Sequence, residues 1–132
     1  MIAILEVSAA IEIVLNRQKA ERFNTEVKGS SWVIAPDLFV SEISNVLWKY
    51  YRGKLISHYE CIEYAEEGMR LVDDFSDSRE LWKEALGEGI KSKHSIYDMF
   101  YAVLARRNDA LLITNDGPLA EICKKSKIAV CF

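Results

Sequence analysis

The chain has 132 residues, half of them hydrophobic and 28% charged, with a formal net charge of −3. These values predict one soluble globular domain over residues 1–132 and exclude a disordered chain. The first residues form no basic leader and no segment approaches roughly 20 uninterrupted apolar residues, so we expect neither a signal peptide nor a membrane span. Cys61, Cys123 and Cys131 are an odd number without metal-ligand spacing, which indicates reduced thiols in a cytoplasmic protein.

The charge is distributed unevenly. A net negative charge argues against a nucleic-acid partner, because phosphate binding generally requires a basic surface. However, the acids are concentrated in residues 58–90, whereas residues 1–57 and 91–132 are slightly basic. This distribution is compatible with an RNA-binding rim formed by the two outer segments.

Short apolar runs alternate with segments of helical periodicity along the chain. The apolar runs are typical of buried parallel strands, and Ser8 and Ser95 are the expected N-caps of two helices. The predicted elements in chain order are a strand over 1–5, a helix over 8–15, a strand over 32–35, helices over 37–52, 58–73, 77–88 and 96–107, a strand over 110–114, a helix over 119–126 and a strand over 128–132. This alternation predicts an α/β fold, a three-layer α/β/α sandwich with a central, mostly parallel sheet.

Two acids follow predicted strands. Glu6 comes directly after MIAIL, and Asp116 follows ALLIT with only Asn115 between them. Ligands of parallel sheets bind beyond the carboxyl ends of the strands near a topological switch point, so both acids are candidates for a shared site. The alternatives are a solvent-facing Glu6, and an Asp116 that serves only as a turn residue or N-cap.

Two further acids lie on predicted helices. Glu42 falls at the edge of an apolar helix face, where it can face a cleft; alternatively it pairs with Lys49 or Asn45 as a boundary residue. Asp98 and Ser95 have the spacing of a capping box, which explains an acid at a helix start without catalysis. A capping residue can also face a metal ion, so the two roles are compatible.

Three stretches of the sequence are more informative together than any single acid, because of the order and spacing of their polar residues. They are ILEVSAAIEIVL, with an acid and a small hydroxyl residue before a helix; PDLFVSEISNVLWKY, with an acid and then Asn three residues later; and SIYDMFYAVLARRNDALLITND, with a Tyr-Asp helix start and a closing Thr-x-Asp. Over the whole chain they resemble the PIN-domain family, and particularly its bacterial toxin ribonucleases of the VapC type. The closing Thr-x-Asp is the most specific match.

The resemblance implies a catalytic and metal-binding site. The family's acidic positions fall on Glu6, Glu42, Asp98 and Asp116. Its supporting polar positions fall on Ser8, Asn45 and Thr114. The first acid of the family is ordinarily Asp, and the extra methylene of Glu6 moves the carboxylate outward.

The resemblance also implies a reaction. Clustered carboxylates repel one another unless a cation compensates, and hard oxygen ligands favour Mg²⁺ or Mn²⁺. Such a site would hydrolyse RNA phosphodiester bonds to leave a 5′-phosphate and a 3′-hydroxyl. Candidates for contacts with the RNA backbone are Lys91, Lys93, His94 and Arg106. His94 is also a conceivable general acid, but a single unpaired His beside a helix start is more often structural or solvent-facing.

The expected partners come from the toxin branch of the family. The resemblance implies a homodimer and an antitoxin protein, in addition to the RNA substrate. Trp48 and Tyr51 lie away from the apolar face of their helix. They either pack under a neighbouring helix or form a subunit or partner interface, where aromatic residues are enriched.

Two other functions compete with a ribonuclease. The first is a PIN-fold RNA-binding or partner-binding protein whose nuclease activity Glu6 has weakened. The second is a phosphotransfer domain of receiver or haloacid-dehalogenase type, which also gathers acids at strand ends. A dehalogenase would need Asp-x-Asp where this chain has Glu6, Val7 and Ser8, and a receiver would need a lysine where it has Thr-Asn-Asp. The phosphotransfer interpretation is therefore disfavoured.

Overall fold

The computed structural model describes residues 1–132, which form five strands, seven α-helices and one 3-10 turn. The strands are β1 (Ile2–Leu5), β2 (Trp32–Pro36), β3 (Asp74–Ser76), β4 (Leu111–Ile113) and β5 (Val130–Cys131). The helices are α1 (Val7–Val14), α2 (Ala20–Gly29), α3 (Leu38–Arg52), α4 (His58–Arg70), α5 (Trp82–Ser92), α6 (Ile96–Arg107) and α7 (Gly117–Lys125), and the 3-10 turn covers Ser78–Glu80. None of these helices has the length and apolar composition needed to cross a membrane.

The five strands form one sheet in the order β3-β2-β1-β4-β5, and every pair is parallel. The central strand β1 pairs with β2 on one side and with β4 on the other. The chain leaves β1 towards one edge of the sheet and later returns to the other side at β4. The carboxyl ends of β1 and β4 therefore flank the topological switch point. The predicted three-layer α/β/α fold is confirmed, with a sheet that is parallel throughout.

Two elements, β3 and α2, have no counterpart in the sequence-based prediction. β3 lies in the DDFSDS stretch assigned to a break between helices, and a three-residue edge strand with one apolar residue leaves no periodic pattern. It is held by pairing with β2 and by the Val33 N–H, which donates to Asp73 Oδ2 at 2.8 Å. The helix α2 buries three residues in an otherwise polar sequence: Ala20, Phe23 and Val27.

The helix predicted over 77–88 begins and ends later, as α5. The carboxylate of Asp77 accepts from the Arg79 N–H at 2.8 Å and so caps the 3-10 turn rather than an α-helix. Neighbouring α4 ends at Arg70, three residues before the predicted end. The other predicted elements agree with the structure to within about three residues, the usual scatter at element ends.

Close packing fixes the two helices that carry Glu42 and Asp98. α3 and α4 approach at Gly68, where a Cβ atom would overlap the side chain of Ile43. α6 is buried over most of its length and lies against β1, β2 and β4. The starts of both helices are therefore held beside the strand ends. The cysteines are free, with Cys61 half-buried and Cys123 and Cys131 buried.

Candidate metal centre

The carboxyl ends of β1 and β4 bring two of the predicted acids together. Leu5 lies opposite Ile113 in the sheet, and the Glu6 N–H donates to the Ile113 carbonyl at 3.0 Å. The Thr114 hydroxyl donates to Glu6 Oε2 at 2.8 Å and accepts from the Asp116 N–H at 3.0 Å. One threonine hydroxyl therefore connects the residues that follow the two central strands.

Glu6 caps α1 with its own side chain. It is 7% exposed, and its Oε2 accepts from the Ser8 N–H at 3.1 Å and from the hydroxyls of Ser8 and Thr114. Burial raises the pKa of Glu6, these hydrogen bonds lower it, and nearby Asp98 raises it further. The predicted Ser8 cap is wrong, because Glu6 is long enough to reach the first turn itself. Ser8 instead supports the site, since its hydroxyl also accepts from the Asn115 N–H at 2.8 Å.

Asp116 caps α7. Its Oδ1 accepts from the Leu119 N–H at 2.9 Å, and its Oδ2 accepts no hydrogen bond. Asp116 therefore has the N-cap role that was one interpretation of its position in the sequence. The cap also orients the carboxylate at the end of β4, and it leaves one oxygen for another partner.

Glu42 faces the same region from α3. The fully buried Tyr101 of α6 donates its hydroxyl to Glu42 Oε1 at 2.6 Å. The pKa of Glu42 is raised to about 7, because burial and the charges of Glu6 and Asp98 raise it more than the Tyr101 hydrogen bond lowers it. No hydrogen bond or ion pair joins Glu42 to Lys49 or to Asn45, so the interpretation of Glu42 as a boundary residue paired with either of them is wrong.

Asp98 pairs with His94 instead of capping its helix. The two atoms His94 Nε2 and Asp98 Oδ2 lie 2.8 Å apart, and the side chains are 19% and 17% exposed. Ser95 occupies the N-cap position but makes no side-chain cap hydrogen bond, so the predicted capping box is absent. Burial raises the pKa of Asp98, the His94 contact lowers it, and nearby Asp116 raises it. His94 is therefore neither unpaired nor solvent-facing.

The arrangement suits a divalent cation. His94, Asp98 and Asp116 each offer an atom, and these atoms lie within 4.8 Å of one another. In each of the four predicted acids one oxygen accepts a protein hydrogen bond while the other accepts none. Oriented carboxylates with a free oxygen are suitable ligands for Mg²⁺ or Mn²⁺, and a cation would offset their mutual repulsion. His94 would then hold Asp98 in place.

An open cavity of about 290 Å³ adjoins the acids and is lined in part by Glu6 and Glu42. The lining also includes Glu12, Arg17, Tyr50 and Asn115, none of which was among the predicted site residues. The sequence contained one indication of Glu12. It lies four residues after Ser8, and residues four apart on a helix share a face, so Glu12 could have been predicted to face the same site.

Other predicted site residues lie away from the acids or are already paired. Asn45 is exposed and makes no side-chain hydrogen bond. The Arg106 guanidinium, a candidate for RNA-backbone contacts, is already paired within the protein, with Glu84 at 2.7 Å and Glu88 at 3.0 Å. Two other candidates for RNA-backbone contacts are exposed and make no ion pair: Lys91 and Lys93.

Comparison with known proteins identifies the family. The PIN domain model matches residues 3–125, from β1 to the end of α7. The chain belongs to the PIN-domain family. This PIN domain is similar to Ribonuclease VapC3 of Pyrobaculum aerophilum, with 26% identity over 120 residues that cover 89% of this chain and 92% of that protein. The resemblance inferred from the three sequence stretches is confirmed.

Two solved structures have the same fold. PAE2754 from Pyrobaculum aerophilum matches with a TM-score of 0.75 and 20% identity, covering 98% of this chain and 90% of that one. VapBC2 from Rickettsia felis, bound to a DNA fragment from its promoter, matches with a TM-score of 0.68 and 14% identity, covering 99% and 98% of the respective chains. At these identities the matches establish the PIN fold.

Proposed function

We propose that this PIN domain is a metal-dependent endoribonuclease that hydrolyses RNA phosphodiester bonds with Mg²⁺ or Mn²⁺. The observation that carries the proposal is the cluster of Asp98, Asp116 and His94, whose ligand atoms lie within 4.8 Å at the switch point. Glu6 and Glu42 lie close enough to Asp98 for its charge to raise their pKa values. The name of the similar Ribonuclease VapC3 supports the same reaction.

The four acids would divide two roles between them. Asp98, Asp116 and Glu6 would hold the metal through the oxygens that accept no hydrogen bond. A metal ion at such a site supplies charge stabilisation and lowers the pKa of bound water. Glu42, with its pKa raised to about 7, would orient the attacking water and accept a proton near neutral pH. The products would carry a 5′-phosphate and a 3′-hydroxyl, as in the family.

The competing function is an RNA-binding or partner-binding PIN domain with weakened catalysis. One observation favours it: Glu6 Oε2 accepts three hydrogen bonds, which hold the carboxylate against α1 and β4. Metal sites need their ligands held to within about 0.5 Å, so a longer side chain in a fixed position can misplace the ligand oxygen.

The proposed biological role is that of the toxin in a toxin–antitoxin pair. The Rickettsia felis structure with the same fold is a VapBC2 complex. In this chain, a groove of about 420 Å³ lies between α3 and α4, and its lining is mostly hydrophobic. Trp48 and Tyr51 line it and are 49% and 50% exposed, so they are not packed beneath a helix. An apolar segment of the antitoxin would cover this groove.

We also propose a homodimer. Trp82, Leu86 and Ile90 recur every four residues on α5, and all three are exposed. An apolar stripe of this kind on a surface helix is typical of an interface. Light scattering of the natural protein and of Ile90→Glu tests it, with dimer and monomer as the respective expected states. A natural protein that is monomeric at the concentration used for light scattering would contradict the homodimer.

Cleavage of a structured RNA by the purified protein tests the nuclease proposal. We expect cleavage with Mg²⁺ or Mn²⁺, none with chelator, and none with Asp98→Asn under either condition. Asp74→Asn is the matched control, because Asp74 is exposed on the edge strand β3 and should leave the rate unchanged. Metal-independent cleavage, or equal activity of Asp98→Asn and the natural protein, would contradict the proposal.

A further inference from the structure

The wall of the cavity beside the acids includes a buried carboxylate, one oxygen of which has no hydrogen-bond partner. Glu12 of α1 lines this cavity and is 8% exposed. Its Oε1 accepts from the Asn115 side-chain amide at 3.3 Å, whereas its Oε2 has no hydrogen-bond partner. A buried acceptor without a donor lowers stability by about 1–3 kcal/mol and is rare in native proteins. A ligand that brings donors into the cavity would satisfy it.

The rest of the lining adds a cation and apolar surfaces. The Arg17 guanidinium lies over the Tyr50 ring, 4.9 Å from its centroid, and makes no ion pair. Its donors are therefore held near the cavity without a protein acceptor. Three aliphatic side chains complete the lining and can contact the faces of a flat ring: Val7, Ile11 and Val46. The lining therefore combines polar groups that can fix the orientation of a ligand with apolar surfaces that can pack against it.

We propose that this cavity is a base pocket that binds a guanine of the RNA substrate next to the cleaved phosphate. The inference rests on the proposed ribonuclease function for its substrate class, because Glu6 and Glu42 line the same cavity. The cavity volume of about 290 Å³ is at the small end of known ligand pockets, which suits one base rather than a longer segment.

The donor and acceptor pattern favours guanine over the other bases. Guanine presents two adjacent N–H donors on its Watson–Crick edge, which match the two oxygens of the Glu12 carboxylate. It also presents the O6 and N7 acceptors that an arginine such as Arg17 reads. Adenine and cytosine place a ring-nitrogen acceptor beside their amino group, which a carboxylate repels. Uracil offers a single donor. No other base satisfies both Glu12 and Arg17.

A small rearrangement connects the free protein with the bound state. Glu12 Oε2 is shielded from solvent, so guanine must meet it through a turn of the carboxyl group. The last torsion of a glutamate is broad, and such a turn is therefore inexpensive. The 3.3 Å contact from Asn115 is long for a hydrogen bond, and guanine can replace it.

Nucleoside binding without metal tests the pocket independently of catalysis. We would titrate guanosine, inosine, adenosine, cytidine and uridine into the full chain with chelator present, and follow the side-chain N–H signals of Asn115 and Arg17 by NMR. The expected affinity is highest for guanosine, by at least about tenfold over adenosine, as a bidentate contact gives. Inosine lacks the 2-amino group and should be intermediate.

Two variants then assign the preference to particular side chains. Glu12→Gln should lose the guanosine preference and move towards adenosine, which a glutamine reads through N6 and N7. Arg17 is exposed, so Arg17→Gln should fold normally. It should weaken guanosine binding, and it provides the test if Glu12→Gln proves unstable. The matched control is Glu26→Gln, on the exposed side of α2, which should bind like the natural protein. Melting curves establish that each variant is folded.

Cleavage of a short RNA library separates the failure of this proposal from that of the nuclease function. Guanosine binding without any RNA cleavage would overturn the nuclease function and leave the pocket standing. Cleavage without preference for a neighbouring guanine, together with equal binding of all nucleosides, would overturn the pocket alone. Chemical shift changes with an arginine derivative but not with guanosine would overturn it as well, and would assign the cavity to a side chain of a protein partner.

Discussion

Two groups of carboxylates in this PIN domain have opposite surroundings. On the outer surface of α5 and α6, Arg106 contacts Glu84 at 2.7 Å and Glu88 at 3.0 Å, and Arg107 contacts Glu84 at 3.3 Å. The Arg106 hydrogen bond lowers the pKa of Glu84. At the strand ends, by contrast, burial raises the pKa of Asp98, whose one basic contact is His94.

The difference distinguishes acids that are neutralised within the protein from acids that we propose to bind a metal ion. The surface acids are paired with arginines within the protein, so they need no further partner, and these exposed ion pairs link α5 to α6 with a small contribution to stability. The acids at the strand ends have His94 as their one basic contact, and each keeps an oxygen that accepts no hydrogen bond. Buried carboxylates with raised pKa values are typical of binding sites, and this supports the proposed metal centre.

The largest expected effect comes from removing one oxygen ligand while keeping the fold. Asp116→Asn should reduce RNA cleavage at least about hundredfold, since even the residues that support metal ligands contribute about 10–100-fold. Asn caps helices as well as Asp does, so α7 should remain intact. The comparison is Glu84→Gln, whose cleavage rate should equal that of the natural protein. An equal loss of RNA cleavage in Asp116→Asn and Glu84→Gln would contradict the proposed difference between the two groups of carboxylates.

The second effect concerns the length of Glu6. Glu6→Asp should raise Mg²⁺-dependent cleavage or metal affinity, because an error of about 1 Å in position can cost on the order of a hundredfold in rate. Cleavage rates at equal folded concentration, with Asp98→Asn as the inactive control, provide the measurement. If Glu6→Asp is slower than the natural protein, the glutamate is an adapted ligand and the weakened-site interpretation is wrong.

The third effect is the pH dependence of stability. The pKa of Glu42 is about 7 in the folded chain against 4.5 for an ordinary glutamate. Its contribution to metal-free stability is therefore fully present below about pH 4.5 and is lost as pH rises through about 7. Millimolar Mg²⁺ should raise the melting temperature increasingly over the same interval, because the cation binds the ionised site. Glu42→Gln should flatten both trends, and an unaltered pH profile in that variant would refute the assignment.

The smallest effect is expected from the surface group. Arg106→Gln removes exposed ion pairs to Glu84 and Glu88, each worth about 0.2–1 kcal/mol. The melting temperature should fall by a few degrees and cleavage should not change. A large loss of RNA cleavage in this variant, with the fold retained, would mean that Arg106 contacts the substrate after all.

The sequence was sufficient to predict which acids lie at the ends of strands. The positions of Glu6 and Asp116 follow from apolar runs and from the rule that parallel strands end at a common crevice. The buried runs also predicted the sheet, since they are continuous in parallel strands. β3 could not be predicted, because a three-residue edge strand is specified by its pairing with β2 and not by its own pattern.

The sequence was insufficient where two local patterns compete for one side chain. Ser95 and Asp98 have capping-box spacing, but the carboxylate turns to His94, which precedes the helix after the left-handed turn at Lys93. The choice depends on burial of Asp98 among the other acids, and this is a tertiary property. Glu12 was missed for a related reason, because its unpaired oxygen is visible only when α1 is packed.

Paramagnetic broadening by Mn²⁺ compares the two carboxylate groups in one measurement. In the natural protein at neutral pH, substoichiometric Mn²⁺ should broaden the backbone amide signals around Glu6, His94, Asp98 and Asp116, and should leave those around Glu84 sharp. Asp98→Asn should abolish the selective broadening. Broadening centred on α5, or uniform weak broadening that Asp98→Asn does not alter, would contradict a metal centre at the strand ends.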